Sequence, residues 1–357
     1  MRELLAETIK WLGQGRSVSW ATVINKSGSA PRQAGSRMLI APQGALTGSV
    51  GGGELEARTL ALAEELLPRA RRGVLDFSPA GLQADATGMV CGGQSTVLVE
   101  SLRPEDLPLL KRLEQSFLAG QPVFLATWAG GESESFTECN LLGESGNWPE
   151  GLLPAPCREM LATLSLATLA GPLFLEHKQS GCGLLVEPLR PSPRLVLFGG
   201  GHVALETAWL ADRVGFEVVV VEERQEFAGR QRFPMAQKIY ACHFEQALRE
   251  LRLDADYYVI ILTHSHATDM EALAKVIHEP SAYLGMIGSK RKREAIYAEL
   301  KRRGVSQARL DQVHSPVGIK LPVETPAEIA VSIVAELISV RAAKRNEPLA
   351  SFDNCAD

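Results

Sequence analysis

The chain has 357 residues, enough for two domains that each bury a core of ordinary size. It is 45% hydrophobic and 22% charged, as globular proteins are, and its formal net charge of −5 argues against nucleic acid as the main partner. No run of about 18 apolar residues occurs, so no membrane span is expected, and six cysteines with no C-x-x-C pair exclude a zinc ribbon or disulfide framework and point to a reducing, cytoplasmic setting.

The first stretch carries acids and an amphipathic pattern in place of a signal peptide's apolar centre. Leu4, Leu5, Ile9 and Leu12 share one face, which predicts a helix over 2–12 that ends at Gly13-Gln14-Gly15. Strands are predicted over 19–25, 37–41 and 45–50, with a polar loop carrying Arg32 between the first two. The third strand runs into Gly51-Gly52-Gly53-Glu54 and a helix over 55–67. A glycine turn feeding a helix start is either an anion seat, where backbone N–H groups and the helix dipole meet a negative group, or simply a sharp corner. Strands over 73–77 and 95–102 flank Cys91-Gly92-Gly93, a thiol held among glycines and so either reachable by a large ligand or inert in a turn. A helix is predicted over 104–119. From 122 to 188 short apolar runs alternate with turns and no chemistry can be assigned, and Pro188, Pro191 and Pro193 mark a linker.

Residues 194–223 form the most informative stretch. An apolar run over 195–198 ends in Gly199, Gly200 and Gly201. A helical pattern opens at His202, and a second apolar run over 218–221 stops at Glu222 and Glu223. Gly199-x-Gly201-x-x-Ala204 fits the dinucleotide-binding form, with Glu222 about where a ribose-binding acid is expected. Gly200 is the position where a side chain is expected to block ligand approach.

Strands over 238–241, 257–262 and 283–287 follow, the second ending in Thr263-His264-Ser265-His266 and the third in Gly288-Ser289-Lys290 before a basic helix over 291–303. A last helix starts at Pro326, and the chain from 342 is expected to be loose. Strands alternating with helices imply a parallel sheet with ligands at the strands' carboxyl ends, where His202, Glu222, His264, His266 and Ser289 all fall. Thr263-His264-Ser265-His266 invites comparison with a metal-dependent hydrolase signature. Asp269 comes one position late and no further histidine follows, so no metal ligands and no catalytic residues are assigned.

The fold class expected is α/β: a C-terminal Rossmann-like doubly wound parallel sheet over 191–345 and an N-terminal α+β domain over 1–190, with a flexible tail over 346–357. Several motifs recur in one order: Gly28-Ser29-Ala30-Pro31-Arg32, Gly48-Ser49-Val50-Gly51-Gly52-Gly53 followed by Leu55-Glu56, Cys91-Gly92-Gly93, Phe198 to Ala204, Thr263-His264-x-His266 with Asp269, Gly285 to Lys292, and Thr325-Pro326 with Glu328-Ile329-Ala330. On these the chain resembles the XdhC/CoxI family of molybdenum-cofactor maturation proteins.

The resemblance implies a homodimeric cytoplasmic chaperone, an accessory protein without turnover of its own. Such a protein binds molybdenum cofactor in its molybdopterin or dinucleotide form and protects it. It works with a cysteine desulfurase on its sulfuration, and it inserts the product into a xanthine-dehydrogenase-like molybdenum hydroxylase apoenzyme. The implied cofactor contacts are Arg32, Gly51, Gly52, Gly53, Glu54, Cys91, Gly92 and Gly93 in the first domain. In the second they are Gly199, Gly200, Gly201, His202, Glu222, Thr263, His264, His266, Gly288, Ser289 and Lys290. Two departures stand out: Glu54 where members often carry cysteine, and Lys320 and Pro322 in place of the usual acid and glycine. The competing readings are an NAD(P)-dependent oxidoreductase that uses the second domain and a regulatory nucleotide sensor.

Overall fold

The computed structural model describes residues 1–27, 32–69, 72–78, 93–121, 123–129, 140–143, 155–166 and 169–345. The chain divides into two compact units, one built on Met1–Pro191 and the other on Ser192–Lys344.

The first unit runs α1 (Arg2–Gly13), β1 (Val18–Ser27), β2 (Arg37–Ile40), β3 (Leu46–Gly48), α2 (Gly53–Arg69), β4 (Arg72–Phe77), β5 (Gln94–Leu102), α3 (Leu107–Leu118), β6 (Val123–Ala129), β7 (Asn140–Gly143), α4 (Ala155–Ala162), β8 (Leu173–His177) and β9 (Cys182–Leu189). β3-β2-β1-β5-β4 form one antiparallel sheet and β7-β6-β9-β8 a second. Side chains alternate across a strand. Val18 and Trp20 of β1 therefore pack with α1 and α3, whereas Ala21 and Val23 pack with Leu55, Ala63 and Leu66 of α2. Val123, Leu125 and Leu189 of the second sheet join the α1–α3 core, and Cys157, Met160 and Leu161 of α4 cover that sheet's other face.

The second unit runs β10 (Arg194–Phe198), α5 (His202–Arg213), β11 (Glu217–Val221), β12 (Lys238–Tyr240), α6 (Phe244–Glu250), β13 (Tyr257–Ile261), α7 (His266–Val276), β14 (Tyr283–Met286), α8 (Lys290–Arg302), α9 (Gln307–Leu310) and α10 (Pro326–Arg345). All its strands are parallel in the order β12-β11-β10-β13-β14, the order of a Rossmann-like half with its switch point between β10 and β13. Val196 and Phe198 enter the core under α6, α7 and α8; Leu195 and Leu197 enter the core under α5 and α10. Both faces are covered, so the strands read as unbroken apolar runs. The sheet is doubly wound, as expected. α10 continues past the predicted end of its helical pattern to Arg345; the expected loose tail over 346–357 lies outside the described residues.

Candidate functional site

In the second unit the carboxyl ends of β10, β11, β13 and β14 deliver the expected residues to one edge. The three glycines do different things there. Gly199 has φ +125°, and a Cβ on it would stand 2.3 Å from the carbonyl oxygen of Leu262. Its glycine is therefore demanded by the neighbouring strand end. The Gly200 peptide is engaged on both sides: its N–H donates to Glu222 Oε2 at 2.8 Å, and its carbonyl accepts from Arg232 Nε at 3.0 Å. Gly201 is the N-cap of α5, and a Cβ there would meet nothing within 4 Å.

Helix starts differ along this edge. Ser265 caps α7 by accepting from the N–H of Thr268, and Ser289 caps α8 by accepting from the N–H of Lys292. Ser289 is thereby accounted for as a cap. α5 has no side-chain cap, so its first N–H groups are directed to whatever lies beyond Gly201. His202, His266 and Lys290 are the first residues of α5, α7 and α8, and all three are exposed.

Glu222 is 4% exposed. Besides Gly200 N–H it accepts three hydrogen bonds from Arg224, from its N–H and Nε at 3.0 Å and from Nη2 at 2.8 Å. Burial pushes its carboxyl up, but the Arg224 guanidinium and the N–H donors of Arg224 and Gly200 outweigh that and hold it below the usual range.

Asp269, to which sequence spacing assigns no task, is fully buried and accepts from Thr263 N–H at 2.8 Å, from Thr263 Oγ1 at 2.6 Å, and from Lys292 Nζ. It thus ties the turn after β13 to the start of α8, where Gly288 lies against the Lys292 side chain. His264 and His266 are exposed on that turn. Among the described residues no three His, Cys, Asp or Glu side chains are grouped to hold a metal ion. A cleft at the same edge is lined by Gly199, Glu222, Cys242, Phe244, Thr263 and His264. Cys242 belongs to no motif and so gives no sequence signal; burial, and then the charge of Glu250, push its thiol up.

In the first unit, register gathers a second group of predicted residues. Ser27 pairs with Gln94, Phe77 with Ser95, and Met38 with Gly48, so the Arg32 loop, Gly93 and the Gly51–Gly53 turn all open towards the carboxyl end of β1. Arg32 and Glu54 are exposed, and Glu54 pairs with Arg58 one turn along α2. Cys91 and Gly92 lie outside the described residues. The turn's donors are engaged by the chain itself: Glu56 Oε1 accepts from the N–H groups of Val50, Gly51 and Gly52 at 3.2, 3.4 and 3.0 Å, and from Ser49 Oγ at 2.6 Å. The Ser49 hydroxyl most strongly, with those N–H groups, holds the Glu56 carboxyl low against the effect of burial. The anion expected at Gly51 and Gly52 is thus an internal carboxylate, and Gly53 is the member of the triplet left exposed.

Two family models match the sequence: the XdhC Rossmann domain over residues 195–337 and the XdhC and CoxI family over residues 11–78. The chain is 28% identical over 329 residues to a Bacillus subtilis (strain 168) protein described as a probable xanthine dehydrogenase subunit, covering 90% of this chain and 92% of that one. It is 25% identical over 342 residues to the molybdenum cofactor insertion chaperone PaoD of Escherichia coli (strain K12), covering 95% and 88%. A crystal structure described as a xanthine dehydrogenase from Bacillus halodurans superposes with a TM-score of 0.79 at 25% identity, covering 96% of each chain.

Proposed function

The chain belongs to the XdhC and CoxI family, and from that membership we propose that it is a molybdenum-cofactor chaperone. Its cargo is the molybdopterin or dinucleotide form of the cofactor, which it protects, holds for sulfuration by a cysteine desulfurase, and inserts into a xanthine-dehydrogenase-like hydroxylase. In this reading it works in the cytoplasm as a homodimer, as an accessory protein without turnover of its own. Similarity to PaoD and to the Bacillus subtilis protein supports the reading. No helix among the described residues is long and apolar enough to cross a membrane.

The observation that carries the reading to residues is the start of α5. Of the four helices that begin at the sheet's carboxyl edge, α7 and α8 are closed by their own serines; the short α6 is uncapped but opens on the apolar Phe244, and α5 is left open behind a glycine facing empty space. An anion at such a terminus gains about 0.3–2 kcal/mol from the dipole, and the cargo ends in phosphate. Lys290 stands at a helix start, where a cation is disfavoured by the dipole unless an anion joins it, and His202 and His266 are exposed at two others. We assign the phosphate to the N–H groups after Gly201, with Thr263, His264 and Lys290 around it, and Cys91 as the thiol of the first unit's site.

The test is to mix the purified chain with molybdenum cofactor under anaerobic, reducing conditions, gel-filter it, and measure molybdenum and pterin per chain. Co-elution near one per chain is expected. A chain that elutes empty would remove the chaperone reading.

A further inference from the structure

The segment after β11 folds back over the glycine turn. Glu222 Oε2 takes the Gly200 N–H and Arg224 Nη2, and Oε1 takes the Arg224 N–H and Nε. A carboxylate offers about four lone-pair positions, and all are filled. Farther along, the Phe227 carbonyl oxygen lies 2.5 Å from where a Gly200 Cβ would stand, and Arg232 Nε holds the Gly200 carbonyl. The guanidiniums of Arg224 and Arg232 lie 4.2 and 5.2 Å from the Phe227 ring centre, so the ring is part of the cover.

In a dinucleotide-binding unit the acid at this position accepts from a ribose hydroxyl while the glycine turn carries the pyrophosphate. Here the acid is present and its acceptor capacity is not. Arg224 supplies three of the four donors. Its side chain, which supplies two of these three, is also the group that could leave without unfolding the turn, since it is 30% exposed while that of Glu222 is 3% exposed.

We propose that Arg224 is a specificity-determining residue that shuts the ribose seat of the second unit, so that dinucleotides that must place a ribose diol on Glu222, as NAD does, are excluded. The open α5 terminus at Gly201 then serves phosphate-bearing ligands that do not need that seat. This goes beyond the chaperone reading and does not depend on it, because it concerns what the unit refuses.

The test is an NADH titration of the full chain, free of molybdenum cofactor, followed by nicotinamide fluorescence, beside Arg224→Ala and Arg224→Gln. Wild type is expected to show no saturable binding. Both variants are expected to bind at least about tenfold more tightly, since hydrogen bonds to a charged acceptor are worth that much each. Adding Glu222→Gln to Arg224→Ala should abolish the gain. NADPH, whose 2′-phosphate leaves no 2′-hydroxyl for the acid, should gain much less than NADH. Wild type that binds NADH as well as the variants overturns the proposal, and that arm stands even if a variant folds poorly. Folded variants that bind no better, or an equal gain for NADPH, overturn it too. None of these outcomes bears on whether the chain retains molybdenum and pterin, so the two readings fail separately.

Discussion

At the level of single residues, the glycine triplet separates into three tasks that one-letter code renders alike. A side chain at Gly200, expected from the sequence to block a ligand, would first strike the Phe227 carbonyl and the Glu222 side chain, and so would disturb the fold. Gly201 is the position that tests ligand approach cleanly, because nothing lies near its missing Cβ and its φ of −66° suits any residue. Gly201→Ser should let the new hydroxyl accept from the first turn of α5, as Ser265 does on α7. Serine outranks glycine at an N-cap by a few tenths of a kcal/mol, so the melting temperature should hold or rise slightly. The same hydroxyl would compete with the phosphate, and retained molybdenum per chain should fall severalfold. A variant that loses stability and retention together, or that retains cargo fully, would remove the α5 terminus from the site.

Among elements, what was legible in the sequence was what depends on neighbours in the chain. The βαβ run over 194–223 shows its period and its glycines directly, and each of its strands and its helix lies where the pattern puts it. Partnerships across distance were not legible. Glu56 reaches back to the turn that precedes its own helix, Lys292 meets Asp269 from another helix, and Arg224 closes over Glu222; none of these carries a spacing rule. Nor did the short runs between 122 and 188 announce a second sheet, because its four strands differ in length and are unevenly spaced along the sequence, which leaves no common period.

Arg37 on β2 shows what joins the two sheets of the first unit. Its side chain and that of Glu187 on β9 are each 2% exposed and ion-paired, while its Nε donates to Thr22 Oγ1 at 2.7 Å and its guanidinium lies 4.6 Å from the Trp20 ring centre. Burial pushes the Glu187 carboxyl up against the pull of Arg37. Arg37→Ala should therefore leave a buried charge uncompensated and cost about 3–5 kcal/mol at neutral pH. The loss should shrink on mild acidification, as Glu187 takes up a proton and the buried charge disappears. Urea unfolding of wild type and variant at pH 7 and pH 5 measures this, and a pH-independent loss would mean that packing against Trp20, not charge, is what Arg37 supplies.

For the molecule as a whole, three internal carboxylates with lowered titration share one direction of pH dependence. Glu56 holds the glycine turn of the first unit and Glu222 that of the second. Glu336 on α10 accepts from Tyr283 Oη and Gly318 N–H, both at 2.6 Å, and meets His314 Nδ1 at 2.7 Å. Burial pushes Glu336 up, and the hydrogen bonds from His314, Tyr283 and Gly318 more than reverse it. That cluster also anchors the loop bearing Lys320 and Pro322, both of which are exposed, so those departures from the family pattern fall on a surface whose base is pinned. A carboxylate whose folded value lies below its unfolded one, about 4.3 for glutamate, stabilises the fold at every pH above that value and ceases to as pH falls through the folded value. The share of stability these three supply should accordingly be level above about pH 5 and fall steadily below about pH 4, whereas Glu187, raised by burial, acts in the opposite sense. Glu336→Gln removes one contributor, so its melting temperature should be lower at pH 7 and should converge on that of wild type near pH 3. Calorimetry of both proteins across that range decides it. Parallel curves would show that Glu336 acts by shape alone, whereas convergence would locate a measurable part of the second unit's stability in one proton-sensitive carboxylate.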